Sequence, residues 1–368
     1  MKIGLTYTAR THRQANGSTT AADSAMNAAA HCGTNQNHDD AEEEFDSPAT
    51  IDAIADALRS FGHDVELLAD GQSLVRRLVA GGLPEFIFNI AEGRGISRSR
   101  EAWVPALLEL FGIPYTGSDP LTLSATLDKD CARRLVREAR VAVPRGIVID
   151  QSPKEFSSEL AALNWPVIVK PAFEGSSKGV GTMSVLDDYG QLHDVVTKCQ
   201  KAYFQPVVVE EFIDGDELTV GILGNPATVL GVMRVVPLEN RRRFVYGLDV
   251  KRDWQRQVRY EVPAQLSQAE GTAVRQSALT AYRALGCRDV ARLDFRLRDG
   301  VPYFIEANPL PGLAPGASDL VLLAEGVGIA YRDLIGRILD AAMSRHLMTS
   351  TFKSGSDCKS SQMATVVS

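Results

Sequence analysis

The sequence predicts an α/β unit at its N-terminus, followed by a larger α+β region. Three observations predict it. Strand-like and helix-like runs alternate with short links before residue 120. Short β-rich runs dominate from about residue 145. Near the end, Arg298-Asp299-Gly300 lies between two such runs, and Asp-Gly in that position marks a tight hairpin.

The first strand is Ile3 to Tyr7. From about Ala9 to Asp40 the chain is rich in Ala, Asn, Thr, Ser, Gly and His and has no helical or strand period. That stretch reads as a long flexible insertion. His12, His31 and His38 lie in it at irregular spacing, so a polar loop is a simpler reading than a metal site. Asp46-Ser47-Pro48 supplies a cap and an N1 proline, and Ile51, Ile54, Ala55 and Leu58 follow at helical spacing. Phe61-Gly62 stops that helix. Val65 to Leu68 and Phe86 to Ile90 are further strands. Together they predict a parallel sheet with helices on its faces over residues 1–120. Leu127, Cys131 and Leu135 at four-residue intervals predict a helix over 127–139. Beyond it, 146–149, 167–170, 207–210, 218–221, 291–297 and 303–307 read as strands. A helix over 324–343 closes the fold, and the Ser/Thr/Lys-rich tail from about His346 reads as disordered. The expected units are 1–120, 121–215 and 216–345, with a tail over 346–368.

Composition excludes several classes. The 368 residues suggest two or three domains, and 45% apolar with 23% charged residues is ordinary for a globular protein. A core of that size needs no disulfides. Mean hydropathy is −0.08 and no run of ~18 apolar residues is present, which argues against a membrane span. Met1 to Arg10 does not read as a signal peptide. A net charge of −7 argues against a nucleic-acid partner. Arg241-Arg242-Arg243 is a local exception that reads as a solvated turn or an anion site. Cys32, Cys131, Cys199, Cys287 and Cys358 are far apart and form no CxxC pair, as expected of free thiols in a reducing cytoplasm.

Three segments carry chemistry. Lys170-Pro171-Ala172-Phe173-Glu174-Gly175-Ser176-Ser177-Lys178-Gly179-Val180-Gly181 sets a strand-end lysine before a Gly/Ser loop. Glycines let backbone N–H groups approach phosphate oxygens, and hydroxyls and lysines add donors and charge. A solvent-exposed turn is the alternative. In Glu210-Glu211-Phe212-Ile213-Asp214-Gly215-Asp216-Glu217, apolar residues suit an adenine slot and Glu217 suits a ribose. An acidic hairpin rim is the alternative. In the last hairpin, Arg292 and Asp294 share one face, and Glu306 and Asn308 share one face. Hard oxygens flanked by Phe295, Phe304 and Ile305 suit Mg²⁺. An Arg292–Glu306 ion pair is the alternative.

In this order and spacing, the segments resemble the ATP-grasp superfamily, and the D-alanine–D-alanine ligase family over nearly all of residues 1–345. Gly112-Ile113-Pro114-Tyr115-Thr116-Gly117-Ser118, Leu127-Asp128-Lys129 and Pro311-Gly312 extend the match. The resemblance implies an ATP-grasp fold behind a Rossmann-like N-terminal domain. It implies a carboxylate–amine ligase that works through an acylphosphate and releases ADP and phosphate. It gives Lys129, Lys170 and Lys251 to the phosphates of ATP, and the loop of Glu174, Ser176 and Ser177 to closure over them. Glu210, Glu211 and Ile213 would line the adenine slot, with Glu217 on the ribose. Asp294, Glu306 and Asn308 would bind two Mg²⁺, or Mn²⁺. Arg292 and the Gly312 backbone would steady the tetrahedral intermediate, with Ser176 beside them. A homodimer acting on small amino-acid-like substrates, and a place in peptidoglycan biosynthesis, would follow. The substrate end departs from the family. Its Gly-Gly-x-Ser loop is replaced by the insertion, which leaves Glu44 as the counterpart of its glutamate. Its histidine after the third strand is missing, and Glu101 matches its acidic member. Ser318 stands in its serine run. Arg98 and Arg100 are additions that suit a second carboxylate on a larger substrate, or else a basic helix end on the surface. A related ligase with another amino acid, peptide or carboxylate, and a scaffold that binds ATP without turnover, are the competing functions.

Overall fold

The computed structural model describes residues 1–10, 40–239 and 243–360. Cys32, His12, His31, His38, Arg241, Arg242 and residues 361–368 lie outside the described residues. Among the described residues, no helix is long and apolar enough to cross a membrane.

Three sheets follow one another along the chain. Strands β1 (Lys2–Tyr7), β2 (Asp64–Ala69) and β3 (Phe86–Asn89) form a parallel sheet in the order β2-β1-β3. Its crossover begins where expected. Ser47 caps the helix Pro48–Ser60 by accepting from the Thr50 N–H at 3.1 Å. The face Ile51, Ile54, Ala55 and Leu58 packs on Ile3 and Leu5. A second sheet is antiparallel, in the order β4-β7-β5-β6, from β4 (Gly146–Ile149), β5 (Val167–Pro171), β6 (Val185–Leu186) and β7 (Val207–Glu211). A third comprises β8 (Asp216–Leu223), β9 (Thr228–Pro237), β10 (Val258–Glu261), β11 (Val290–Arg298) and β12 (Val301–Asn308), ordered β10-β9-β8-β11-β12.

Three sequence expectations are corrected. The helix expected over 127–139 is two helices, Pro120–Leu127 and Lys129–Glu138. Asp128 breaks them with an extended backbone, and its carboxylate caps the second by accepting from Asp130 and Cys131 N–H at 3.1 Å. Lys129 is thereby the first residue of a helix. The helix expected over 324–343 is also two, Asp319–Gly326 and Tyr331–Ser360. Gly328, at φ +84°, sits in the left-handed region that ends the first of them. The second runs to Ser360, well past His346, where disorder was expected. Strands β9 and β10 and the helices Leu192–Tyr203 and Gln268–Ala284 are additions to the sequence reading. Of the expected thiols, Cys287 is buried, Cys131 and Cys199 are half-buried, and all three are free.

The last helix returns to the first sheet, where Leu334, Ile335, Ile338 and Leu339 share a core with Ile3, Leu5 and Ile54. Asp289 fixes that return. It is fully buried and accepts from Gly117 N–H at 2.7 Å, Asn225 Nδ2 at 2.5 Å, and Arg345 Nε and Nη2 at 2.9 and 2.8 Å. Replacing it leaves the Gly117 amide, the Asn225 amide group and the half-buried Arg345 guanidinium without their shared acceptor. Asp289→Ala is therefore expected to lower the unfolding free energy by about 3–5 kcal/mol. A thermal unfolding midpoint equal to wild type would contradict the account.

Candidate active site

The floor of the site is built by a one-residue irregularity. In the β11–β12 hairpin, Arg292 pairs with Asn308 and Asp294 with Glu306, but Phe295 pairs with Phe304. Ile305 is thus the extra residue of a β-bulge. Strict alternation would put Phe304 on the same face as Glu306. The bulge turns it to the opposite face, where it meets the Phe295 ring at 5.8 Å within the core. Arg292, Asp294, Glu306 and Asn308 share the other face, with Arg296 next along β11 paired to Glu217. There the guanidinium of Arg292 lies 2.8 Å from Asp294 Oδ2 and 3.5 Å from Glu306 Oε1. Lys129 Nζ approaches Glu306 Oε2 at 3.6 Å. Burial opposes the ionised form of Glu306, but Lys129, Arg292, Lys251 and Lys170 outweigh it and hold the carboxyl well below the usual range. Asp294 goes the other way, pushed up to about 6 by burial against the pull of Arg292.

Above this floor lies a cavity of ≈ 360 Å³. Its roof is the Gly/Ser loop, which is held down. The Glu44 carboxylate accepts from Arg100 Nη2 at 2.9 and 3.0 Å, from Lys178 Nζ at 3.0 Å and from Gly175 N–H at 2.5 Å. A Cβ at Gly175 would stand 2.7 Å from Glu44 Oε1, so only glycine permits that approach. Glu174 closes the same network, paired with Lys178 and Arg100 and accepting from Gln205 Nε2 at 2.7 Å. Burial penalises the Glu44 charge, yet Arg100 and Lys178 prevail and hold it at about 2. Ser176 and Ser177 both adopt left-handed backbone, φ +49° and +58°. Two successive non-glycine residues there persist only where the surroundings impose it. Ser177 Oγ donates to Tyr246 O at 3.1 Å and Lys129 Nζ to Glu174 O, which ties roof to floor.

The remaining walls divide by charge. On one side stand Lys251, 4.9 Å from the Tyr246 ring centroid, and the pair Tyr246–Tyr260, whose hydroxyls are 2.6 Å apart. Tyr246 donates to Asp319 Oδ1 at 2.9 Å, and Asp319 Oδ2 faces Arg292 at 3.4 Å. Gly312 and Ser318 line this end, where Ser318 Oγ accepts from Ala314 N–H at 2.9 Å. On the other side stand Asp46, Glu92 and Glu101. Burial pushes Asp46 up to about 7 and Glu101 up to about 8. Glu92 is raised by burial and by Glu101, Glu44 and Asp46 around it.

The structure thus gathers Lys129, Glu174, Ser176, Lys251, Arg292, Glu306, Asn308, Gly312, Glu44, Glu101 and Ser318 around one cavity. Asp294 lies under its floor. Lys170, Glu210, Glu211, Ile213 and Glu217 are not on its lining. Lys170 Nζ pairs with Glu210 at 2.6 Å, Glu211 accepts from Asn164, Ile213 is buried, and Glu217 pairs with Arg296 at 2.6 Å. Two substrate expectations are corrected. Arg98 lies at the surface, 3.5 Å from Asp128, and does not reach the cavity. Arg100 is buried, but Glu44, Glu174 and the Phe173 carbonyl use its donors, so it grips no substrate carboxylate. Arg243, from the basic run, pairs with Asp187. Asp46, Glu92, Tyr246, Tyr260 and Asp319 are cavity residues that sequence reasoning gave no role. Asp46 carried a signal only as a helix cap.

The donor set on the floor suits Mg²⁺. Asp294, Glu306 and Asn308 offer hard oxygens on one face. Among the described residues no three His, Cys, Asp or Glu side chains converge on one point, so water or phosphate oxygens would complete the shell.

A family model described as "D-ala D-ala ligase C-terminus" matches residues 141–340. The D-alanine–D-alanine ligase of Cupriavidus pinatubonensis is 34% identical over 291 residues, covering 78% of this chain and 84% of the relative. The crystal structure of D-alanine–D-alanine ligase from Bacillus anthracis complexed with ATP matches with a TM-score of 0.68 at 21% identity, covering 95% and 99% of the two chains. The VanG D-Ala:D-Ser ligase of Enterococcus faecalis matches at 0.66 and 18%, covering 93% and 99%. These likenesses show the expected ATP-grasp fold.

The upward shift of Glu101 has a consequence for stability. A carboxyl raised in the fold contributes stability that is present below its ordinary pKa and is lost as pH rises through the folded value. Glu101→Gln mimics the protonated form. Its unfolding free energy relative to wild type is therefore expected to climb between about pH 5 and about pH 8. Calorimetry at fixed ionic strength measures the difference, and a flat difference curve would sink the assignment.

Proposed function

This chain belongs to the D-alanine–D-alanine ligase family, and on that premise we propose that it uses ATP to join one amino acid's carboxylate to another's amine. The observation that supports this best is the convergence of Arg292, Asp294, Glu306 and Asn308 with Lys129 on one face of the β11–β12 hairpin. A carboxylate is a poor acyl donor. Attack of its oxygen on the terminal phosphorus of ATP releases ADP and gives an acylphosphate. The amine then attacks the carbonyl carbon, and phosphate leaves with the bonding electrons. Lys129, Lys170 and Lys251 spread the charge of the phosphates, while Arg292 and the Gly312 backbone steady the anionic tetrahedral carbon. Mg²⁺ held by Asp294, Glu306 and Asn308 supplies Lewis-acid charge neutralisation at the phosphates. The roof over Glu174, Ser176 and Ser177 keeps water from the acylphosphate. Adenine contacts belong to Glu210, Glu211 and Ile213, and the ribose contact to Glu217. The working units are 1–120, 121–215 and 216–345, acting as a cytoplasmic homodimer.

The relatives' names make D-alanine the first substrate to try. A different amino acid is the second reading, favoured by the missing histidine and by the carboxylates opposite the phosphate floor. The test is ADP and phosphate release over a panel of D- and L-amino acids with ATP and Mg²⁺. Turnover is expected with at least one pair, and chelation by EDTA abolishes it. Glu306→Ala is expected to lower kcat by about 100-fold or more. Unchanged turnover in that variant, or no amino-acid-dependent ADP release from wild type, overturns the reading.

A further inference from the structure

Most carboxylates on the cavity lining have a cation. Glu43 pairs with Arg252, Glu44 with Arg100 and Lys178, Glu174 with Lys178, Glu306 with Lys129 and Arg292, and Asp319 with Arg292. Asp46, Glu92 and Glu101 form no such pair, and the cations that act on them, Arg10, Arg100 and Lys129, do so without contact. Their carboxylates make no ion pair or hydrogen bond with the described residues. The Glu101 residue is only 8% exposed and lines the cavity. Asp46 Oδ2 is buried without a hydrogen-bond partner. Arg10, the cation that acts on Asp46, directs Nε and Nη2 to the Phe45 and Glu43 carbonyls. Leaving buried acceptors unmade costs free energy that a bound donor would recover.

An ammonium group, with three donors spread in space, suits acceptors on separate elements. The carboxylate-donating amino acid brings one α-ammonium and the attacking amine of the second is uncharged, so three carboxylates outnumber the cations of an ordinary substrate pair. We infer that the acidic wall formed by Asp46, Glu92 and Glu101 receives a second cationic group, and that the substrate is a diamino acid with an amine on its side chain. The inference deepens the ligase reading and rests on it for the reaction, though not for binding. It reverses the expectation of a second carboxylate that Arg98 and Arg100 suggested. The upward pKa shifts of the three carboxyls agree with a site that lacks its positive partner.

The test compares ornithine with norleucine, which has a methyl group in place of the side-chain ammonium, each in both hands. Calorimetric titration into the full-length protein with ATP and Mg²⁺ is expected to show ornithine binding tighter by about tenfold or more. Within Glu101→Gln the ratio should fall toward one, and Glu101→Asp should restore most of it. A wild-type ratio of one or less overturns the inference. So does Glu101→Gln keeping the full ratio, or neither amino acid binding. ADP release in the same solutions judges the ligase reading separately. A tenfold ratio without ADP release keeps the cationic site and removes the ligase. ADP release with a ratio of one does the opposite.

Discussion

The closed cavity depends on one buried carboxylate. Glu44 is out of water and bonded at once to Arg100, Lys178 and the Gly175 amide. Taking such ions out of water costs several kcal/mol each, which is offset only when every partner is in place. The three partners come from two separate parts of the chain, so the offset exists only when the roof loop lies against the N-terminal layer. An intermediate arrangement, with one ion pair made and another broken, leaves a charge stranded. The loop is thereby pushed toward two states rather than a continuum.

The floor obeys the same constraint and solves it through backbone geometry. A hairpin with regular alternation cannot place Phe304 in the core and Glu306 at the site, because both have the same parity. The bulge at Ile305 removes the conflict. It also allows the hydrophobic contact of Phe295 with Phe304 to stabilise the strand pair that carries the charged residues. Packing on one side of the sheet and chemistry on the other are joined by this single residue.

Much of this was legible in the sequence, and the remainder failed for identifiable reasons. Parity predicted that Arg292 and Asp294 share one face and that Glu306 and Asn308 share one face, and each pair does, but the register of the Asp299-Gly300 turn alone would set the two pairs on opposite faces. The strands of the second sheet were visible as β-branched runs. The bulge was invisible, since strand register is decided by partners and not by composition. The helix over 127–139 was read through its break because Leu127 happens to continue the period, while Asp128 works as a cap. Arg100 misled because a charged residue in a polar string looks solvent-facing. Its burial is decided by Glu44, 56 positions earlier, and Glu174, 74 positions later. Asp46 read only as part of a helix cap and Glu92 carried no motif, and only the fold brings them to a cavity.

The core of the first sheet has a consequence for how the protein is made. Ile3, Leu5 and Ile54 are sealed by Leu334, Ile338 and Ala342. The N-terminal layer emerges first in synthesis, yet the residues that cover one of its faces emerge almost last. During that interval it presents apolar side chains to the cell. The second sheet, whose cluster runs only from Ile149 to Val209, has no such wait and is able to close on its own residues. Order along the chain and order of completion are thus different, and the segment translated earliest is among the last to be finished.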